Sequence, residues 1–85
     1  MHGQYWKKSV LLEFAGSGVS GIRTVTSTDD AARCLLYKWP DQSSKAYHRA
    51  KGMCLDALEG RKPDEDAREA FLEAAREAQI TIRLN

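Results

Sequence analysis

The sequence predicts an α+β domain with element order ββαααβ, in which a small three-stranded sheet carries three helices mainly on one face. Two segments with the period-two alternation of β-strands come first, and a third closes the chain. Three stretches between them repeat their apolar residues at helical spacing. We expect residues 1–85 to form one domain with one small core.

Each predicted strand has a distinct signature. The segment YWKKSVLLEF alternates apolar and polar residues, which predicts a strand with one buried face and a central place in the sheet. The segment IRTVTST is rich in β-branched residues, which fit a pleated sheet better than a helix. The closing ITIRL alternates again and predicts the third strand. The residues expected to be buried in the first strand are Trp6, Val10, Leu12 and Phe14.

The glycines between the first two strands follow the GxGxxG spacing of dinucleotide-binding loops. They are Gly16, Gly18 and Gly21. A phosphate-binding loop of this kind must open directly into a helix, whose N-terminal amides hold the phosphates. A strand follows here instead, so we interpret the glycines as a hairpin connection or a bulge. We therefore predict no cofactor, whether NAD, FAD, ATP or a related nucleotide.

The first helix is predicted to begin at Ser27 or Thr28, either of which can cap free backbone amides. Pro40 disfavours helical geometry at the preceding residue, so the helix should end near Trp39. Its predicted buried stripe is Ala32, Leu35, Leu36 and Trp39.

The other two helices are predicted from the same kinds of start and stop signals. The second is predicted from Ser44 to Glu59, with Gly60 as its left-handed C-terminal residue. The third opens at PDEDAREAF, where acids suit the positive end of the helix dipole. The predicted buried residues are Tyr47, Ala50, Cys54 and Leu58 in the second helix and Ala67, Phe71, Ala74, Ala75 and Ala78 in the third.

Composition excludes several classes of protein. A net charge of +1 with 42% apolar and 29% charged residues is typical of globular domains, not of disordered or strongly nucleic-acid-binding chains. The N-terminus MHGQYWKK lacks the long apolar stretch of a secretory signal, so we predict a cytoplasmic protein with no membrane partner. Cys34 and Cys54 have no metal-ligand spacing and are expected to be reduced thiols.

Three sets of residues in the middle and C-terminal segments form a recognisable pattern. They are a Trp-Pro after the first helix (Trp39, Pro40), an Ala, Cys and Ala-Leu-x-Gly series in the second (Ala50, Cys54, Ala57, Leu58, Gly60), and an Ala-Arg-x-Ala-Phe-x-x-Ala-Ala helix (Ala67, Arg68, Ala70, Phe71, Ala74, Ala75). With these features the chain resembles a small bacterial family known as domain of unknown function 982. The resemblance covers most of the chain and implies a small α+β domain. It implies no activity, cofactor or catalytic residue.

No catalytic or metal site is predicted. His48 and Cys54 share a helix, but six residues leave them roughly 120° apart around its axis, so their side chains cannot meet directly. We interpret Cys54 as a core residue and His48 as partly exposed. His2 lies near the terminus, and the carboxylates show no zinc or calcium spacing. The acids of the third helix are expected to form a solvated face with ion pairs to Arg68 and Arg76.

Cys34 and Tyr37 lie away from the predicted buried stripe of the first helix, roughly 150° around the helix axis. Another helix of the same chain could cover these residues, and so could a second subunit. We therefore treat Cys34 and Tyr37 as a candidate interface.

The outer face of the sheet is the second candidate surface. If even-numbered residues of the first and last strands face the helices, this face carries a mixture of aromatic and basic residues. Such a face can hold single-stranded RNA by stacking and phosphate contacts. Its predicted members are Tyr5, Lys7, Leu11, Arg23 and Arg83.

The sequence therefore favours a non-enzymatic cytoplasmic interaction or regulatory module, with a homodimer or an unidentified protein as its partner. Weak nucleic-acid binding through the outer sheet face is the alternative. An enzyme with a site at an unseen interface is a third hypothesis.

Overall fold

The computed structural model describes residues 5–14 and 21–84, and its elements follow the predicted order ββαααβ. The strands are β1 (Val10–Phe14), β2 (Gly21–Val25) and β3 (Thr81–Leu84). The helices are α1 (Thr28–Tyr37), α2 (Lys45–Leu58) and α3 (Asp64–Glu77). The predicted α+β class is confirmed.

The sheet has the order β2-β1-β3, and both pairings are antiparallel. The predicted central position of the first strand is therefore confirmed. Leu12 pairs with Arg23 on one side and with Ile82 on the other. Directly paired residues point to the same side of a sheet, so these three share a face. Val10, Leu12 and Phe14 are buried, which identifies this face as the inner one, covered by the helices.

The segment that contains the glycines leads into β2 and not into a helix. Gly21 has a φ of +115°, a conformation that side-chain-bearing residues rarely adopt. Gly16 and Gly18 lie outside the described residues. Because β1 and β2 are antiparallel neighbours, they have the arrangement that a hairpin requires, as predicted.

Two of the helices begin at serine caps. The Ser27 hydroxyl accepts a hydrogen bond from the Asp30 amide, and the Ser44 hydroxyl accepts one from the Tyr47 amide. α3 begins after Pro63 without a side-chain cap. Three acids occupy its first turn, where their negative charges are attracted to the positive end of the helix dipole. Gly60 follows α2 with a φ of +83°, which confirms its predicted left-handed role.

Aromatic rings form the centre of the core. Phe71 of α3 lies between Trp6 and Trp39, with ring centroids 6.0 Å and 5.5 Å away. Phe14 of β1 packs edge-on against Trp39 at 6.3 Å. These distances are typical of favourable aromatic pairs. The cluster joins the central strand to the segment after α1 and to the buried stripe of α3.

One buried and one partly buried hydrogen bond, which share the Thr28 hydroxyl, hold the N-termini of α1 and α3 together. The Trp6 indole donates to the Thr28 hydroxyl at 3.0 Å, and that hydroxyl donates to Asp64 at 2.8 Å. Thr28 is buried, so each of these bonds satisfies a group that would otherwise be costly to remove from water.

The rotation of α1 differs from the sequence prediction. Leu36, predicted to be buried, is exposed, whereas Cys34 is fully buried. Measured around the helix axis, the buried stripe is displaced by roughly 60° from the predicted one. The reason is that the small residues Ala31 and Cys34 lie on the buried side of the helix, whereas the predicted stripe follows the larger side chains of Leu36 and Trp39. Thr28 belongs to the buried stripe although it is polar.

The predicted stripes of α2 and α3 are largely confirmed. In α2, Tyr47, Ala50 and Cys54 are buried, and Leu58 is only partly buried. In α3 the predicted residues are buried except Ala78, which is partly buried. None of the described helices is both long enough and apolar enough to cross a lipid bilayer.

Candidate functional site

Both thiols of the described residues lie inside the core. Cys34 and Cys54 are buried and form no disulfide bond. Burial raises the pKa of the Cys34 thiol to about 11 and that of the Cys54 thiol to about 12. Both thiols are therefore protonated at neutral pH, and the reactive thiolate is scarce. The predicted core role of Cys54 is confirmed.

His48 lies on the exposed side of α2, edge-on against the Tyr47 ring at a centroid distance of 5.3 Å. It therefore points away from the buried Cys54, in agreement with the predicted separation. Within residues 5–14 and 21–84, no three His, Cys, Asp or Glu side chains come close enough together to hold a metal ion.

The acids of α3 form an exposed face, as predicted, but the ion pairs differ from the predicted ones. Glu73 pairs with Arg49 of α2 at 3.8 Å. Arg68 donates to the Lys8 carbonyl oxygen at 3.2 Å and lies over the Trp6 ring at 5.9 Å. Arg68 therefore packs at the edge of the aromatic core, and its hydrogen bond goes to the backbone before β1 and not to an acid of α3.

The outer sheet face is less basic than predicted. Arg23 pairs with Leu12 in the sheet register and so lies on the inner face, where it interacts with the Cys34 thiol. Its predicted place on the outer face is wrong because β2 begins at Gly21, which sets odd-numbered residues inward. Arg83 does lie on the outer face beside Leu11, and it donates to Glu13 at 3.0 Å.

Tyr5 and Lys7 are exposed, as predicted, but they precede β1 and are not part of the outer sheet face. They line a cleft of about 340 Å³ at the N-terminal end of α3, together with Asp64 and Glu65. The five predicted members of the outer face are thus distributed over three places, and the structure does not bring them together.

The two candidate interface residues are also separated. Cys34 is fully covered by its own chain, so it offers no surface to a partner, and its place in the predicted interface is corrected. The alternative that another part of the same chain covers it is the observed one. Tyr37 is 76% exposed. It remains the accessible member of the pair.

Tyr37 borders an apolar groove between α1 and α2, which we call the α1–α2 groove. It has a volume of about 530 Å³. Leu36 and Leu55, from the two helices, line it and are 40% and 43% exposed. Its described lining residues are Arg23, Asp29, Ala32, Arg33, Leu36, Tyr37, Lys38, Leu55 and Leu58.

Hydrogen bonds fix the two walls of the groove relative to each other. The Tyr47 hydroxyl of α2 donates to the Leu35 carbonyl oxygen of α1 at 3.0 Å. The Gln42 amide reaches the Leu35 and Leu36 carbonyl oxygens at 3.4 Å and 3.5 Å. Carbonyls at a helix C-terminus lack partners within the helix, so these donors satisfy them. The groove is therefore preformed on a rigid pair of helices.

Sequence reasoning found Tyr37 but missed the two leucines. Leu36 belongs to the predicted stripe because that stripe follows the large apolar side chains, whereas the observed one includes Thr28, Ala31 and Cys34. Leu55 follows the buried Cys54 directly and lies about 100° from it around α2. Its position outside the predicted stripe was the signal that could have found it. The groove is thus marked by large apolar residues that lie outside the observed buried stripes of α1 and α2.

The comparisons with known proteins support the resemblance noted in the sequence. No curated protein and no solved structure is significantly similar to this chain. Residues 8–82, nearly the whole chain, match the model of the family described as "Protein of unknown function (DUF982)". The chain therefore belongs to the DUF982 family.

Proposed function

We propose that this protein is a small bacterial, cytoplasmic interaction module without catalytic activity, and that it binds another protein chain through the α1–α2 groove. The observation that carries the proposal is the exposure of Leu36, Tyr37 and Leu55 side by side on two helices. Contiguous apolar surface of this kind on a small domain is typical of binding sites.

Two further observations support a binding role. The groove is preformed, because Tyr47 joins α2 to the C-terminal end of α1, so little ordering is needed when a partner binds. Its aromatic member, Tyr37, is of a residue type enriched at protein interfaces. The outer sheet face has less support as a nucleic-acid site, because Arg83 is paired with Glu13 and Arg23 faces inward.

Site-specific photo-crosslinking tests the proposal. A benzophenone amino acid is placed at Tyr37 in the groove and, as a control, at Lys62 in the exposed connection between α2 and α3. After irradiation of intact cells that make the protein, we expect protein adducts from position 37 and not from position 62. A second copy as partner would give an adduct of twice the chain's mass.

The matched variant Leu55→Ser should remove these adducts while the circular dichroism spectrum stays native, because the leucine lines the groove and contributes little to the core. Equal adducts from positions 37 and 62, or adducts unaffected by Leu55→Ser, would contradict the proposal.

A further inference from the structure

We propose that the partner of the α1–α2 groove is an acidic amphipathic helix of another protein. The inference rests on the function proposed above and adds the chemistry of the partner. It follows from the shape of the groove, from the charges at its rim and from the poor fit of the other possible occupants.

The shape favours a helix with a narrow apolar stripe. The walls of the groove are two helices, and Leu36, Leu55 and Leu58 provide aliphatic contacts from both. A groove between two helices accepts an amphipathic helix whose anchors recur three and four residues apart. Tyr37, exposed at the C-terminal end of α1, can cover the side of such a helix.

The charge at the rim selects an acidic partner. Three cationic side chains and one carboxylate line the groove, which leaves a local charge of +2. The carboxylate, Asp29, already pairs with Arg33 at 3.4 Å. The neighbouring Asp30 is turned away, and accepts hydrogen bonds from the Thr26 amide and hydroxyl at 3.2 Å and 2.8 Å. Asp or Glu residues beside the apolar stripe of a partner would therefore meet uncompensated positive charge.

A second copy of this chain fits the groove less well. Two-fold pairing of the groove would bring two rims of charge +2 together, and like charges at an interface are unfavourable. A single-stranded nucleic acid also fits less well. Leucines fill the centre of the groove, where a nucleic acid would need hydrogen-bond donors or several stacking rings.

Designed peptides test the charge of the partner. The acidic probe is a fluorescein-labelled amphipathic helix of the same length as α2, with leucines at i, i+3 and i+7 and Glu at the flanking positions. The matched basic probe has Lys in place of every Glu. A third probe keeps the composition of the acidic one in scrambled order, and a fourth is a single-stranded RNA oligonucleotide.

Fluorescence anisotropy should show the acidic helix binding roughly tenfold more tightly than the basic helix, since a few rim contacts of modest energy amount to that ratio. The preference should shrink as the salt concentration rises. The double variant Arg33→Glu/Lys38→Glu should reverse it, whereas the control Lys62→Glu should leave it unchanged. Leu55→Ser should weaken binding of the acidic probe.

Two results would overturn the inference in distinguishable ways. The acidic and basic helices could bind equally well, with both losing their binding in Leu55→Ser. The groove would then bind helices regardless of their charge, and the proposed function would stand without this inference. Binding of the RNA or of the scrambled peptide that Leu55→Ser does not weaken would count against the groove itself. Failure of every probe to bind, together with no adducts at position 37, would reject both proposals.

Discussion

The aromatic core and the α1–α2 groove contain similar residues in opposite surroundings. In the core, Phe71 is fully buried between Trp6 and Trp39. In the groove, Tyr37 and Leu55 are of comparable apolar size but remain exposed. One helix, α1, takes part in both regions: one side of it packs into the core and the other forms a wall of the groove.

The comparison separates stability from binding within a chain of 85 residues. Apolar surface that the chain itself covers contributes to the free energy of unfolding, at roughly 25 cal/mol for each Å² removed from water. Apolar surface left exposed contributes little to folding and is available to a partner. We therefore expect substitutions in the two regions to have opposite profiles: core variants lose stability, and groove variants lose binding.

The largest expected effect comes from Phe71→Ala. Loss of the ring removes its transfer energy and leaves a cavity between two tryptophans, so the free energy of unfolding should fall by roughly 3 to 5 kcal/mol. Urea denaturation followed by tryptophan fluorescence measures the change. Tyr37→Ala is the matched aromatic control and should change it little. A loss below about 1 kcal/mol for Phe71→Ala would mean that α3 is docked differently.

A smaller loss is expected from Thr28→Val, which keeps the shape of the side chain and removes its hydroxyl. The buried Trp6 indole would lose its acceptor, and Asp64 would lose a donor. An unsatisfied buried donor costs about 1 to 3 kcal/mol of unfolding free energy. Thr24→Val, on the exposed outer face of the sheet, is the control for the same chemical change. Equal effects of the two variants would argue against the two hydrogen bonds of the Thr28 hydroxyl.

The pH dependence of stability tests the burial of the two thiols. The folded pKa values of Cys34 and Cys54 are raised to about 11 and about 12, above the ordinary value of 9.0. Between pH 9 and pH 11 the unfolded chain therefore binds fewer protons than the folded one, and stability falls as pH rises. At pH 10 the loss should be roughly 1 kcal/mol for each thiol.

Urea denaturation at pH 8 and at pH 10 measures this effect, and the double variant Cys34→Ala/Cys54→Ala provides the reference. The alkaline loss of stability should be smaller in the variant, because the alanines do not titrate. An identical loss in both proteins would mean that the thiols ionise as readily in the folded chain as in the unfolded one.

The smallest effect on stability is expected in the groove. Tyr37→Ser should change the free energy of unfolding by no more than about 0.5 kcal/mol, as is usual for exposed positions. The same variant should weaken binding of the acidic helix probe. A loss of stability comparable to that of Phe71→Ala would show that Tyr37 supports the fold, and the contrast between the two regions would disappear.

The parts of the fold that followed local rules could be predicted from the sequence. Alternation in β1, the serine cap of α1 and the left-handed Gly60 each depend on residues close together in the chain, and each was confirmed. The position of Arg23 could not be found this way. It depends on the residue at which β2 begins pairing, and a shift of one residue moves every side chain to the other face.

The groove was only partly predictable for a similar reason. Exposure of Leu36 follows from the rotation of α1, which Thr28 fixes through hydrogen bonds to Trp6 and Asp64. Those partners are 22 and 36 residues away in the chain, so no local pattern reports them. Tyr37 was found because it lies far from the apolar stripe under either rotation.

The most direct test of the contrast between core and groove is a nuclear magnetic resonance titration of the native protein with the acidic helix probe. Amide signals of α1 and α2 around Leu36, Tyr37 and Leu55 should shift in proportion to the peptide bound. The signals of Thr24 and Thr81 on the outer sheet face should stay in place. Largest shifts on the outer sheet face, or no shifts at any peptide concentration, would contradict the assignment of the α1–α2 groove as the binding surface.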